Sequence, residues 1–228
     1  MTESGIAAAA AAAACVAIGY VCGSLPFALW LGRWWRGVDV RTAGSGNLGA
    51  TNVYRTLGPA LGISVLLLDI TKGALPVLLV PGLGIAARFP GGAEWCAIAV
   101  GLAAILGHMW TFLAGFRGGK GVATTVGVLL ALAPAAFLAF VIMFFVTLFA
   151  SRFVSLGSIL GALAFAVVLP FAHPGGAASP TFLFGLLVAL LIILRHLPNI
   201  GRLLNGTESR LALRRGAGGP AGGGEAQR

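Results

Sequence analysis

The sequence predicts an all-α, polytopic membrane protein with about seven transmembrane helices. Three observations carry that reading: 58% of the 228 residues are hydrophobic, only 9% are charged, and the mean hydropathy is +0.98. Soluble domains carry about 25% charged residues, so apolar surface this extensive calls for lipid rather than one buried core. One integral-membrane unit over residues 1–215 is expected, followed by a Gly-rich tail over 216–228 that lacks apolar periodicity and reads as disordered.

The spans follow from the distances between charges, because a helix needs about 20 apolar residues to cross the hydrocarbon. Between Glu3 and Arg33 lie 29 uncharged residues, preceded by no basic start, which favours a retained first span over a cleaved signal. A second span lies between Arg55 and Arg88, interrupted by Asp69 and Lys72, and a third between Glu94 and Arg117. The 42 uncharged residues from Arg152 to Arg195, broken by a Pro/Gly-rich turn near Phe171 to Pro180, make two more.

The stretch from Gly121 to Ser151 is about 46 Å of continuous helix, too long for one crossing and short for two. Pro134 near its middle can divide it. Charge parity decides for the hairpin. With seven spans, Arg33, Arg36, Arg41, Arg55, Arg117, Lys120, Arg152 and the six arginines from Arg195 onward share one side, while Arg88 falls opposite. The positive-inside rule then places the amino end outside and the carboxyl end inside.

The formal net charge is +9, but the cations come singly or in small groups between long apolar runs, so nucleic acid is excluded as a partner. Membrane lipids and phosphorylated substrates are the expected partners. Cys15, Cys22 and Cys96 lie inside apolar stretches without CxxC or Cys/His spacing and read as buried small hydrophobes. Carboxylates are too few for a metal site, and no cofactor is expected. The sequence assigns no oligomeric state.

Three polar clusters fall on the basic side. The first runs from Arg41 to Arg55. Gly44, Gly46 and Gly49 allow positive φ and an anion-binding nest, Ser45, Asn47, Thr51 and Asn52 add side-chain donors, and Arg41 and Arg55 bring charge. The second holds His108, then Gly118, Gly119 and Lys120 leading into an apolar helix, an arrangement suited to phosphate. It is not a Walker A loop: Ala114 stands where the first glycine belongs, and Gly121 replaces the Ser or Thr that holds magnesium. The third begins at Arg195 and places His196, Asn199 and Arg202 at i, i+3 and i+6, near one helical face, with Pro198 between them and Glu208 beyond.

Each cluster has a bland counterpart, a topological anchor, a turn or a hydrogen-bonded histidine. Together they offer anion capacity with only Asp39 and Glu208 to neutralise it. Asp69 and Lys72 admit two readings, an intrahelical ion pair that fixes packing or support for the active-site loops.

The segments SGNLGATN (45–52), LDITKG (68–73), GHMWTFLAGFRGGKGVAT (107–124) and LRHLPNIGRLLNGTE (194–208) together resemble the bacterial acyl-phosphate:glycerol-3-phosphate acyltransferases of the PlsY type. The resemblance runs from about Gly23 to Glu208 with order and spacing intact. It implies an inner-membrane enzyme with seven spans and a cytoplasmic active site. Such an enzyme transfers an acyl group from acyl phosphate to the 1-hydroxyl of glycerol 3-phosphate, giving lysophosphatidic acid and phosphate for phospholipid synthesis.

Carried onto this chain, the resemblance implies Ser45 with Gly44, Gly46 and Asn47 at the acyl-phosphate phosphate and Arg55 near the reacting groups. It implies Lys120 with its glycines as phosphate ligands, and His196 and Asn199 at glycerol 3-phosphate, with Glu208 as a structural or orienting acid. Ser45, Arg55, Lys120 and His196 are the expected catalytic set, and Arg41, Gly49, Thr51, Asn52, His108, Gly118, Gly119 and Arg202 join the expected substrate contacts. His196 is either a general base or an orienting group, with a substrate phosphate oxygen taking the proton in the second case.

Other chemistries are absent. The fifth residues after His108, His173 and His196 are Leu113, Ala178 and Gly201, so no HxxxxD motif exists, and no GxSxG elbow is present. A transporter for a phosphorylated metabolite and a lipid-binding scaffold are the competing classes. Transport calls for charge near the midplane, where only Asp69 and Lys72 qualify.

Overall fold

The computed structural model describes residues 2–84 and 86–211. The Gly-rich tail from residue 216 lies outside the described residues. The described chain is all-helical: α1 (Glu3–Gly23), α2 (Phe27–Arg36), α3 (Ala50–Leu57), α4 (Pro59–Leu79), α5 (Gly92–Met109), α6 (Val122–Leu132), α7 (Pro134–Ser151), α8 (Val154–Ala172), α9 (Pro180–Arg195) and α10 (Leu197–Leu204).

Prolines and glycines set the breaks. Pro26 separates α1 from α2, and Gly37 ends α2 in the left-handed conformation. Gly58, with φ 100°, divides α3 from α4, which opens on Pro59. The long apolar stretch after Gly121 breaks at Ala133, just before Pro134, where the sequence places its turn.

Among the described residues, five segments are long and apolar enough to cross a bilayer: Glu3–Arg36, Pro59–Leu83, Gly92–Ala114, Pro134–Ser151 and Val154–Ala172. The α9–α10 pair, bent by 55°, makes a sixth when counted as one span. The remaining candidate is α6, whose 11 residues reach only about 16 Å. The expectation of seven therefore differs from this length-based count by one short helix.

Helix directions follow from what meets what. Cys15 touches Cys96, Gly19 abuts Val100 and Gly23 abuts Ala104, a constant offset of 81 residues that makes α1 and α5 parallel. A methyl on Gly19, Gly23 or Gly107 would run into a backbone carbonyl of the partner helix, so small residues let these backbones touch, as membrane helices require. Gly157 lies on Phe144 and Gly161 on Phe140, which makes α7 and α8 an antiparallel hairpin. Glu94 accepts hydrogen bonds from Thr181, setting the start of α9 beside the start of α5. One end of the bundle thus gathers the ends of α1, α5, α7 and α9 with the beginnings of α4, α6 and α8.

Candidate active site

At that end a cavity of about 820 Å³ opens between α3, α4, α6, α7, α8 and α10. Its floor carries Arg55, Lys120, Arg195 and Arg202, and its apolar wall is built from Ile63 and Leu66 of α4, Val126 of α6 and the Phe137–Leu148 face of α7. Ile63, Leu66 and Phe145 are exposed, so the wall is open toward the lipid. Phe137, Phe140 and Phe144 stack in series along it.

The first loop is organised around Asn52, which is buried. Its Oδ1 accepts from the Ser45 N–H at 2.9 Å, and its Nδ2 donates to the carbonyls of Val40, Ala43 and Asn47. That network folds the loop so that Ser45, Asn47, Gly49 and Thr51 line the cavity together with Arg55. Gly44 and Gly46 turn the chain with positive φ and stand outside the lining. Arg41 is turned away as well. It hydrogen-bonds Asp39, whose carboxyl the Arg41 guanidinium holds well below its usual range.

The second loop clamps back onto the end of α5. The Gly118 N–H donates to the Met109 carbonyl and the Gly119 N–H to the His108 carbonyl, at 3.2 and 3.1 Å. The Gly119 carbonyl accepts from Arg195 at 2.9 Å, and the Arg195 guanidinium lies over the Trp110 ring. Gly118 and Gly119 serve this clamp and do not line the cavity, whereas the following Lys120 does. Burial pushes the Lys120 amine down to about 8, and Arg202, Arg195 and Arg55 push the same way against the opposing pull of Glu208.

The third cluster closes the floor. Pro198 sits in the first turn of α10, where proline is tolerated, so the helix forms and brings His196, Asn199 and Arg202 to the cavity. Asn199 Oδ1 accepts from Lys120 Nζ, and its Nδ2 donates to Glu208 Oε1 at 2.7 Å. Glu208 also accepts from Ser155 at 2.8 Å and from Arg202 Nε at 2.7 Å. Burial opposes ionisation of Glu208, but the hydrogen bonds from Asn199, Ser155 and Arg202 outweigh it and hold the carboxyl below its usual range.

His196 Nδ1 lies 2.8 Å from the Ile192 carbonyl, which only accepts, so Nδ1 carries the proton and Nε2 keeps the lone pair. Burial, reinforced by Lys120, depresses the imidazole to about 4. It is neutral at working pH and weakly basic.

Of the expected contacts, Ser45, Asn47, Gly49, Thr51, Asn52, Arg55, His108, Lys120, His196, Asn199, Arg202 and Glu208 line one cavity, while Arg41, Gly44, Gly46, Gly118 and Gly119 stand behind it. Sequence reasoning missed Ser155 and the phenylalanine wall. The available signal was the Ser155/Ser158 pair, two hydroxyls three residues apart at the start of an apolar run.

The family model for glycerol-3-phosphate acyltransferase matches residues 13–206. The chain belongs to the glycerol-3-phosphate acyltransferase family. A relative of that name from Geobacter sulfurreducens is 45% identical over 195 residues, covering 85% of this chain and 94% of the relative. One from Myxococcus xanthus is 49% identical over 197 residues, covering 86% and 98%. The crystal structure of PlsY (YgiH), an integral membrane glycerol 3-phosphate acyltransferase, in its glycerol 3-phosphate form superposes with a TM-score of 0.76 at 37% identity, over 88% of this chain and 96% of that one. The lysophosphatidic acid form gives 0.74 at 36% identity. This acyltransferase family member thus has the fold of an integral membrane enzyme solved with each of those two molecules.

Proposed function

We propose that the chain transfers a fatty acyl group from acyl phosphate to the 1-hydroxyl of glycerol 3-phosphate, releasing lysophosphatidic acid and phosphate. The observation that carries this reading is the single cavity in which a floor of four cations meets a wall of stacked phenylalanines open to lipid. A long-chain acyl phosphate has that polarity, and glycerol 3-phosphate supplies a second anion that the floor can hold beside the first. Bringing the two together supplies several kcal/mol of the barrier.

The donor is already activated, so no covalent enzyme intermediate is needed. The glycerol oxygen attacks the acyl carbon, the bond from that carbon to the phosphate oxygen breaks, and phosphate leaves with the electron pair. Arg55 and Lys120 stabilise the charge that develops on the departing phosphate. Ser45, Asn47 and the start of α3 hold the donor phosphate, while His196 and Asn199 hold glycerol 3-phosphate. With its Nε2 lone pair and depressed basicity, His196 accepts a hydrogen bond from the neighbouring 2-hydroxyl and so orients the attacking 1-hydroxyl. The hydroxyl proton passes to a phosphate oxygen.

Seven crossings complete the reading, with the amino end outside, the carboxyl end inside and the cavity facing the cytoplasm of a bacterial inner membrane. The chain from Asn199 through Glu208 links Lys120, before α6, to Ser155, at the start of α8, which supports a hairpin of α6 and α7 that leaves and re-enters at one face. Arg88, between the end of α4 and the start of α5, lies toward the opposite end, which supports the positive-inside count.

The test is phosphate release by the purified protein from long-chain acyl phosphate, with and without glycerol 3-phosphate, beside a parallel acyl-CoA reaction. Release that depends on glycerol 3-phosphate and yields lysophosphatidic acid is expected. Product from acyl-CoA alone overturns the donor, and no product from either overturns the reaction.

A further inference from the structure

Asp69 and Lys72 lie in the middle of α4 with side chains only 2% and 3% exposed, their carboxylate and amine 2.8 Å apart. An intramembrane pair of this kind is costly and is retained for a use. Lys72 also donates to the Leu25 carbonyl at the α1–α2 break and faces the Phe27 ring, which explains the lysine. It does not explain the aspartate. Among the described residues Asp69 Oδ2 is buried without a hydrogen-bond partner, so Lys72 engages only one of its two oxygens.

The second neighbour of Asp69 is His108. Its Nδ1 lies 3.7 Å from Asp69 Oδ1 and its ring is buried at the end of α5. The other ring nitrogen, Nε2, lies against Gly119, so closely that a methyl on Gly119 would overlap it. Gly119 in turn bonds the His108 carbonyl through its N–H and Arg195 through its carbonyl, and the next residue is Lys120.

We infer that Asp69 is a positioning residue that acts through His108 to hold Gly119, and so fixes where Lys120 and Arg195 stand in the cavity floor. The inference rests on the proposed reading of that floor as the phosphate site. It makes His108 the strut beneath the loop, and gives the LDITKG segment of α4, whose Asp69 borders the cavity, a positioning role through Asp69.

The decisive variant is Asp69→Asn/Lys72→Met, which removes both charges together. If the pair serves packing alone, this variant melts and turns over like the parent. The inference expects a melting temperature near the parent's but kcat/KM lower by about 10- to 100-fold, the scale of a displaced catalytic cation. It also expects that adding His108→Gln to this variant brings no further loss, because both changes release the same loop. Activity within about twofold of the parent, or losses that multiply with His108→Gln, overturns it. Should the neutral pair fail to fold, His108→Gln alone carries the test: a loss of about tenfold or more at unchanged melting temperature supports the strut, and full activity overturns it. A parent protein without activity in the same assay instead overturns the proposed reaction.

Discussion

Asn199 and Phe144 border the same cavity, and the structure holds them in opposite ways. Asn199 is buried and has both amide atoms committed, one to Lys120 and one to Glu208. Phe144 only stacks, on Phe140 and edge-on to Phe145, with nothing directional to fix it. A polar floor of this kind is all-or-none, because removing one partner strands the others in a low-dielectric site. An apolar wall is additive, and one ring can stand in for another.

The largest expected effect falls on the floor. Lys120→Met removes a cation that the proposed reading aims at phosphate and should lower kcat by about 100- to 1,000-fold, measured as phosphate release. The same lysine predicts a pH profile. In the proposed reaction phosphate binds the protonated amine, so kcat/KM should fall as pH rises through about 8, the value burial sets for the free protein. Bound anions favour the proton, so the corresponding limb in kcat should lie at higher pH. A flat kcat/KM between pH 7 and 10, an interval spanning that value, would remove Lys120 from phosphate binding.

Glu208→Gln comes next. It keeps the shape but weakens the three hydrogen bonds that Glu208 accepts from Asn199, Ser155 and Arg202, and should cost about 10- to 100-fold in kcat/KM. An equal loss in Ser155→Ala would place the hydroxyl in the same unit, whereas a parent-like Ser155→Ala would confine the floor to α10. On the wall, Phe144→Leu should cost about 1 kcal/mol of stability and less than about fivefold in kcat/KM. A loss on the scale of Lys120→Met would break the contrast between floor and wall. Arg41→Gln should be smallest, about twofold, because Arg41 pairs with Asp39 behind the cavity.

The same contrast explains what was legible in the sequence. The polar residues stood out because Asn, Lys and His are rare against so apolar a background, and their clusters meet at the cavity. The break before Pro134 was legible too, since proline leaves the preceding helix no donor. Phe137, Phe140 and Phe144 were not, because a phenylalanine facing a substrate slot and one facing lipid are written with the same letter. Ser155 was hidden inside an apolar run whose length marked it only as a span. For Arg41 the charge was visible, while the short 3-10 turn at Val40–Thr42 that hands it to Asp39 was not. The length of α6 was obscured for a related reason, since residues 121–151 are uncharged throughout and only the fold shows how unequally Ala133 divides them.

In the proposed reaction the floor brings two phosphates together for direct transfer. Rapid-quench measurement of phosphate release from acyl phosphate, with glycerol 3-phosphate withheld, tests it most directly. Direct transfer predicts no burst and an unmodified protein mass, with release beginning only when glycerol 3-phosphate is added. A burst stoichiometric with the protein, accompanied by an acyl adduct in its mass, would contradict it.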